Sequence, residues 1–204
     1  MNSPPPIVLA SQSPRRSQLL EMLGLRFDVI PADVDESYRK GENAKAHAER
    51  LAREKAMKIS ALRPEALVIG SDTVVVLERK VLGKPSSPEE AVDMLLQLQG
   101  KAHRVETAIA VASPDQLLLS SVETVRVRFR PFDRRYAEAY VATNEPMDKA
   151  GAYGIQGFGS AIVERIEGDF FAVMGLPIGR MLALFKATGW EYDFQGLQRT
   201  NELS

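Results

Sequence analysis

The fold of this chain begins at residues 7–16, which read IVLASQSPRR. The apolar residues at 7–10 predict a short buried strand, and the polar residues after them indicate the start of a helix. Ser13 is a favourable N-cap residue, and Pro14 suits the first helical position, where its missing N–H is not needed. Such a helix start offers N–H groups, hydroxyls and two guanidiniums, which favours a phosphate site. An ordinary capped helix with two solvated arginines would have the same sequence.

The composition limits the classes of function. The 204 residues carry a formal net charge of -1 and a pI of about 6.2, so they provide no basic field for a nucleic-acid polymer. The absence of cysteine excludes disulfides, thiolate nucleophiles and cysteine-ligated zinc. The start MNSPPP lacks the pattern of a signal peptide, and no apolar run approaches the roughly 20 residues that span a bilayer. We therefore expect a cytoplasmic protein without a membrane partner.

Helical and strand patterns alternate along the chain, which predicts an α/β fold with a mixed central sheet flanked by helices. The predicted strands are 7–10, 27–30, 66–77, 102–112, 116–130, 161–167 and 170–174. The predicted helices are 13–23, 43–62, 88–99, 133–142 and 177–188. No linker separates independent domains, so we expect a tail at 1–6, one domain at 7–189 and a C-terminal tail at 190–204.

Two charged residues lie where apolar residues are expected. Asp72 interrupts the apolar, β-branched strand 66–77, which is typical of a strand covered on both faces, and Gly70 on its face leaves space beside it. Lys55 lies at the centre of the apolar stripe of helix 43–62, so its ammonium group needs an anion. Asp72 is therefore a candidate general base or metal ligand. A structural aspartate and a lysine that snorkels at the edge of the core remain alternatives.

Further candidates lie in loops. Lys84 stands between a glycine and a proline, Glu36 belongs to an acidic loop that could hold a hard cation with phosphates, and Gln156 belongs to the glycine-rich segment 149–159. The amide of Gln156 has a donor and an acceptor for a base edge. Each of these could also be an ordinary solvated side chain. The sequence lacks the glycine spacing of a Walker A motif, which excludes a P-loop.

The motifs resemble those of the Maf family of nucleoside triphosphate pyrophosphatases over about residues 7–188. They stand in the family's order: LASQSPRR, DVDES, the lysine helix, GSDTVVV, LGKP, and KAGAYGIQG with VMGLP. The resemblance implies a mixed α/β fold of two lobes with a cleft, related to that of inosine triphosphate pyrophosphatases. It implies hydrolysis of a nucleoside triphosphate to the monophosphate and pyrophosphate with a divalent cation, Mg²⁺ or Mn²⁺. A house-cleaning role, a link to septum formation and a homodimer are further implications.

The resemblance also assigns roles to residues. Asp72 would be the proton acceptor, and Asp72 and Glu36 would hold the metal or orient water. The substrate-binding residues would be Ser11, Arg15, Arg16, Lys55, Thr73, Lys84 and Gln156. Arg15, Thr73 and Gln156 match the branch that prefers dTTP and UTP, whereas the branch that prefers 7-methyl-GTP carries Trp, Gln and Glu there. The alternatives are a nucleotide-binding regulator of division without turnover and a sugar-nucleotide or phosphosugar enzyme.

Overall fold

The structure is a computed structural model that describes residues 3–200, and its centre is a seven-stranded sheet. The strand order is β2-β1-β3-β5-β6-β7, with β4 paired to β3. The strands of this sheet are β1 Ile7–Leu9, β2 Phe27–Val29, β3 Leu67–Leu77, β4 Lys80–Leu82, β5 Ala102–Ala112, β6 Leu118–Phe129 and β7 Val163–Glu167. The helices are α1 Pro14–Met22, α2 Ala44–Ser60, α3 Pro88–Leu98, α4 Arg134–Val141, α5 Phe170–Met174 and α6 Ile178–Ala187. Short 3-10 helices occupy Glu145–Asp148, Ala150–Ala152 and Gly157–Ala161.

The sheet is mixed, as the sequence predicts. Strand β1 pairs in parallel with β2 and with β3, whereas β4 and β7 pair antiparallel with β3 and β6. Parallel neighbours need a crossover, which α1 supplies between β1 and β2 and α2 supplies between β2 and β3. Within residues 3–200, no helix is both long and apolar enough to cross a membrane.

The chain divides into two compact units. Within the described residues, the first unit comprises 3–72, 107–123 and 175–200, and the second comprises 73–106 and 124–174. The core of the first unit is built from β1, the first half of β3, α2 and α6, with buried residues such as Leu9, Leu51, Ile69 and Phe185. The core of the second unit contains Leu95, Leu98, Val127 and Phe129, packed with the aromatic ring of Tyr153.

Helix α2 lies directly against strand β3 at Gly70. A Cβ atom at Gly70 would overlap the carbonyl oxygen of Ala52 and lie 2.7 Å from the backbone nitrogen of Ala56. The sequence predicted open space beside this glycine, and that prediction was wrong because the helix backbone fills it. The small side chains at 52 and 56 and the missing one at 70 together allow this close approach.

Two segments differ from the sequence-based expectations. Residues 170–174 form a helical turn, α5, and not a strand, because the Asp169 carboxylate accepts the Phe171 N–H (2.8 Å) and starts helical geometry. Beyond residue 189, where a tail was expected, β8 Trp190–Tyr192 and β9 Leu197–Arg199 form an antiparallel pair. Of the expected N-terminal tail, Met1 and Asn2 lie outside the described residues, and the Pro6 carbonyl accepts the Leu67 N–H.

His103 is a buried titratable group in the core of the second unit. Its Nε2 lies 2.8 Å from the hydroxyl of Tyr153, and its ring meets Phe129 and Tyr153 edge-on. Its Nδ1 finds no hydrogen-bond partner within residues 3–200. Burial lowers the pKa of His103 to about 4, because a second ring proton would have neither water nor an acceptor.

Substituting Gly70 with alanine should destabilise the protein. The new methyl group would meet helix backbone that cannot move independently, so we expect a loss of about 3 kcal/mol and a fall in Tm of roughly 5–10 °C. Thermal and urea unfolding measure this. Gly179→Ala is the matched control, because a Cβ there meets nothing within 4 Å. Equal stability of the two variants would contradict the close packing of α2 on β3.

Stability should depend on the protonation of His103. Between pH 4 and the ordinary histidine pKa of about 6.5, the unfolded chain binds a proton that the folded chain does not, so stability rises with pH in this window. This stability is lost as the pH falls, and the loss reaches about 3 kcal/mol near pH 4. His103→Gln removes the titration, so its unfolding free energy should depend less steeply on pH from 4.5 to 7. A slope identical to that of the wild type would be evidence against this origin.

Candidate functional site

The turn after β1 fixes Ser11 against Arg16 at the start of α1. Both side chains are buried. Arg16 Nη1 donates to Ser11 Oγ (3.0 Å), and the backbone N–H of Ser13 donates to the same oxygen (3.2 Å). Ser13 occupies the predicted N-cap position with Pro14 after it, but its side chain makes no capping hydrogen bond. The hydroxyl of Ser11 is therefore the acceptor that organises this turn.

Arg16 ties two other segments of the first unit to the start of α1. Its Nε donates to the carbonyl of Gly175 and its Nη1 to the carbonyl of Ser71, both at 2.8 Å. The Ser71 hydroxyl also lies 2.9 Å from the Gly175 carbonyl oxygen. Burial lowers the pKa of Arg16, and the negative charge of Asp72 opposes this effect. An arginine stays protonated at neutral pH nonetheless, so a full positive charge is held inside this unit.

Lys55 and Asp72 form a buried ion pair. Lys55 Nζ lies 2.8 Å from Asp72 Oδ1, and the two residues are only 7% and 9% exposed. Lys55 Nζ also lies 2.7 Å from Glu36 Oε1, on the loop before α2, and the Glu36 side chain is 60% exposed. The inward lysine predicted from the helical stripe is confirmed, and its anions are these two carboxylates. The cluster carries one more carboxylate than ammonium groups.

The loop that carries Glu36 is fastened to α2 by a second ion pair. Arg50 Nε donates to Glu42 Oε1 (2.7 Å), and Arg50 Nη2 donates to the Ser37 carbonyl (2.9 Å). The Glu42 carboxylate also accepts the Arg39 N–H at 3.1 Å. Arg50 holds the pKa of the Glu42 carboxyl well below its usual range, and Glu42 raises the pKa of Arg50. Glu36 therefore lies on a loop that Arg50 attaches to α2 at Ser37, the next residue, and at Glu42.

Tyr38 of the same loop covers His47. The two rings stack with centroids 3.6 Å apart and an interplanar angle of 2°. His47 Nδ1 lies 3.0 Å from Glu42 Oε2, so the stacked histidine belongs to the anchoring network. Burial, followed by the charge of Asp72, raises the pKa of Tyr38. His47 therefore belongs to the network that anchors this loop on α2.

Three of the sequence candidates belong to the second unit. Thr73 follows Asp72 directly in β3, and Lys84 and Gln156 are exposed side chains of loops. The Gly151 N–H donates to the Gly83 carbonyl (2.9 Å), so the loops that carry Lys84 and Gln156 are tied together. The first unit brings together Ser11, Arg16, Lys55, Asp72 and Glu36, with Arg15 preceding Arg16 on the first turn of α1.

Each unit contains residues that sequence reasoning missed. The carbonyl groups of Ser71 and Gly175 accept hydrogen bonds from Arg16, although they are 55 and 159 residues away from it in sequence. No local sequence pattern is informative over such a separation. Glu145 accepts hydrogen bonds from Tyr140 and from the glycine-rich loop. In the sequence, the pair Glu-Pro at 145–146 indicates only a turn. The one sequence signal for the contact of Arg16 with Gly175 is that Gly175 belongs to the motif VMGLP at 173–177.

Comparison with known proteins agrees with the motifs. The profile of the Maf-like protein family matches residues 6–188. A dTTP/UTP pyrophosphatase of Aquifex aeolicus is 46% identical over 180 residues, covering 88% of this chain and 94% of that protein. One of Desulforamulus reducens is 45% identical over 188 residues, covering 91% and 98%. Among solved structures, the Staphylococcus aureus Ham1 protein aligns with a TM-score of 0.46 at 18% identity, over 77% of this chain and 79% of that one. Since profile and relatives span nearly the whole sequence, this chain belongs to the Maf family.

Proposed function

We propose that this protein hydrolyses dTTP and UTP to the nucleoside monophosphate and pyrophosphate. The observation that carries the proposal is the buried Lys55–Asp72 pair with Glu36 beside it. A buried ion pair is costly to build and contributes little net stability, so its presence favours a chemical role over a structural one. The relatives named dTTP/UTP pyrophosphatase support the reaction and the substrates. The resemblance of the motifs further matches Arg15, Thr73 and Gln156 to the branch that prefers dTTP and UTP.

The carboxylates of Asp72 and Glu36 suit a hard divalent cation, which prefers oxygen ligands. Asp72 and Glu36 direct oxygens to one point, where they meet the Lys55 ammonium at 2.8 and 2.7 Å. Residues 3–200 contain no cluster of three or more histidine, aspartate or glutamate side chains suited to hold a metal. Magnesium is commonly bound by only one or two protein carboxylates together with substrate phosphates. Asp72 and Glu36 would hold the ion, which would offset phosphate charge and make bound water more acidic.

The chain's own residues supply positioning and charge for an attack of water at the α-phosphorus. Asp72 accepts the proton of the attacking water, and the bond between the α-phosphorus and the bridging oxygen breaks, so that pyrophosphate leaves. Lys55 keeps the Asp72 carboxylate oriented through the 2.8 Å contact. Phosphoryl transfer depends mainly on such positioning and on electrostatic stabilisation.

The remaining candidate residues interact either with the phosphates or with the base of the nucleotide. Arg15, Lys55 and Lys84 offset the charge of the triphosphate. The Arg16 N–H groups engage Ser11 and two carbonyls, so Arg16 contributes its positive charge and the fixed position of Ser11. Gln156, with Thr73, reads the edge of the pyrimidine through an amide that both donates and accepts.

The purified protein should release pyrophosphate from dTTP and UTP with Mg²⁺ at a kcat/KM roughly 10²-fold above that for ATP or 7-methyl-GTP, because a site that hydrogen-bonds one base leaves polar groups unpaired with another. Chelation of the cation should abolish turnover, and adding Mg²⁺ or Mn²⁺ back should restore it. Release of orthophosphate would overturn the reaction type, and equal turnover of all four nucleotides would overturn the substrate class. Binding without turnover would favour a regulatory nucleotide-binding protein.

Asp72→Asn should leave a folded protein that binds nucleotide and lacks hydrolysis. Asparagine keeps the volume, and Lys55 retains Glu36 as its anion, so Tm should change little. Losing the base typically lowers the rate about 10²–10⁴-fold. Asp115→Asn, an exposed position in the turn between β5 and β6, is the matched control and should behave as the wild type. A folded Asp72→Asn protein with more than roughly a tenth of normal kcat would remove Asp72 from catalysis.

A further inference from the structure

The glycine-rich segment of the second unit wraps around the carboxylate of Glu145. Oε1 of Glu145 accepts the Tyr140 hydroxyl (2.8 Å) and the Gly159 N–H (2.9 Å), and Oε2 accepts the Phe158 N–H (2.8 Å). The Tyr140 oxygen in turn accepts the Gly154 N–H (3.0 Å). Backbone groups on both sides of position 156 are therefore fastened to one carboxylate and one phenol.

The spacing of the glycines follows from this arrangement. A Cβ atom at Gly157 would overlap Glu145 Oε2, and its φ of +63° is also unfavourable for a side chain. A Cβ at Gly159 would overlap the Gly154 carbonyl oxygen and lie 2.6 Å from the Tyr140 hydroxyl, and one at Gly154 would lie 3.2 Å from Glu145 Oε1. The glycines therefore allow the segment to approach Glu145, Tyr140 and its own backbone closely.

The Tyr140 hydroxyl remains a donor in this network. Tyr140 is buried, and its burial, together with the nearby Glu145, raises the pKa of the phenol. A protonated phenol donates to the carboxylate while its oxygen accepts from Gly154, so every group of the pair is used. Charge-assisted hydrogen bonds of this kind are short and about twice as strong as neutral ones.

We propose that Glu145, supported by Tyr140, is a positioning residue that sets base selectivity by fixing the loop that carries Gln156. This inference rests on the proposed function, in which Gln156 reads the pyrimidine edge. Gln156 itself is exposed and its backbone is extended, so the fixed groups at 154, 158 and 159 determine the position of the backbone from which its amide extends. An amide that recognises a base must be held in place before the base binds, because ordering the amide during binding reduces affinity and selectivity.

Glutamine cannot replace Glu145 in this role. Its amide has one acceptor oxygen and one donor nitrogen, whereas the site presents donors to both carboxylate oxygens: Tyr140 and Gly159 on one, Phe158 on the other. In either orientation of the amide, a donor would face a donor. The loop would then lose at least one of its attachments while the volume of the side chain stays the same.

The experiment measures kcat and KM for dTTP, UTP and ATP with Mg²⁺ in the wild type, Glu145→Gln and Tyr140→Phe. We expect Glu145→Gln to raise KM for dTTP and UTP about tenfold with kcat nearly unchanged, and to leave kcat/KM for ATP as it was. The selectivity ratio should therefore fall about tenfold, in line with the loss of one positioning contact. Tyr140→Phe removes only the hydroxyl and should change the ratio in the same direction. Glu138→Gln, on an exposed face of α4, is the matched control and should behave as the wild type.

The outcomes separate this inference from the proposed function. If the wild type releases no pyrophosphate from dTTP or UTP, the proposed function fails first. If the wild type does so and both variants retain its selectivity ratio, Glu145 has no positioning role. An equal loss for ATP and dTTP, or a fall in kcat alone, would also overturn the inference, since a merely structural defect gives that result. Should Glu145→Gln not fold, Tyr140→Phe decides the question by the same ratio.

Discussion

The arrangement of the first unit depends on how closely helix α2 approaches strand β3. Contact between helix backbone and the bare Cα of Gly70 allows the Lys55 ammonium to reach the Asp72 carboxylate at 2.8 Å. Gly70 and Asp72 share a face of the strand, since side chains alternate along it. A methyl group at position 70 would push the helix outward and lengthen the ion pair by a comparable amount. The glycine in GSD is therefore as much a requirement of the site as the aspartate.

Arg16 fixes the start of α1 relative to β3 in the same unit. Its guanidinium joins the start of α1 to the Ser71 carbonyl, one residue before Asp72, and to Gly175 at the start of the turn before α6. Donating to carbonyls from a buried guanidinium compensates the cost of burying its charge. Arg16 thereby keeps Ser11 at the carboxyl end of β1 while Lys55 holds Asp72 in β3. The positions of both polar groups follow from buried cations that are paired.

The sequence predicted the parts of the site that local patterns determine. Lys55 interrupts a helical stripe and Asp72 interrupts an apolar strand, and both turned out buried and in contact. The partners of Arg16 could not be predicted, because they lie far away in the chain and nothing local distinguishes the inward arginine from Arg15. Residues 170–174 failed for a different reason. Their aromatic and β-branched side chains favour a strand, and the local hydrogen bond from the Phe171 N–H to Asp169 outweighs that preference.

The two units fasten their polar loops by the same device. In the first, Glu42 accepts from Arg50 and from the backbone N–H of Arg39 and so holds the loop of Glu36. In the second, Glu145 accepts backbone N–H groups and so holds the loop of Gln156. A carboxylate that receives several donors replaces many weak contacts with a few directional ones, which fixes a loop without a large apolar core. Loops that must present a polar group to solvent or ligand cannot be anchored by burying that group. An acceptor behind the loop leaves the exposed face available for binding.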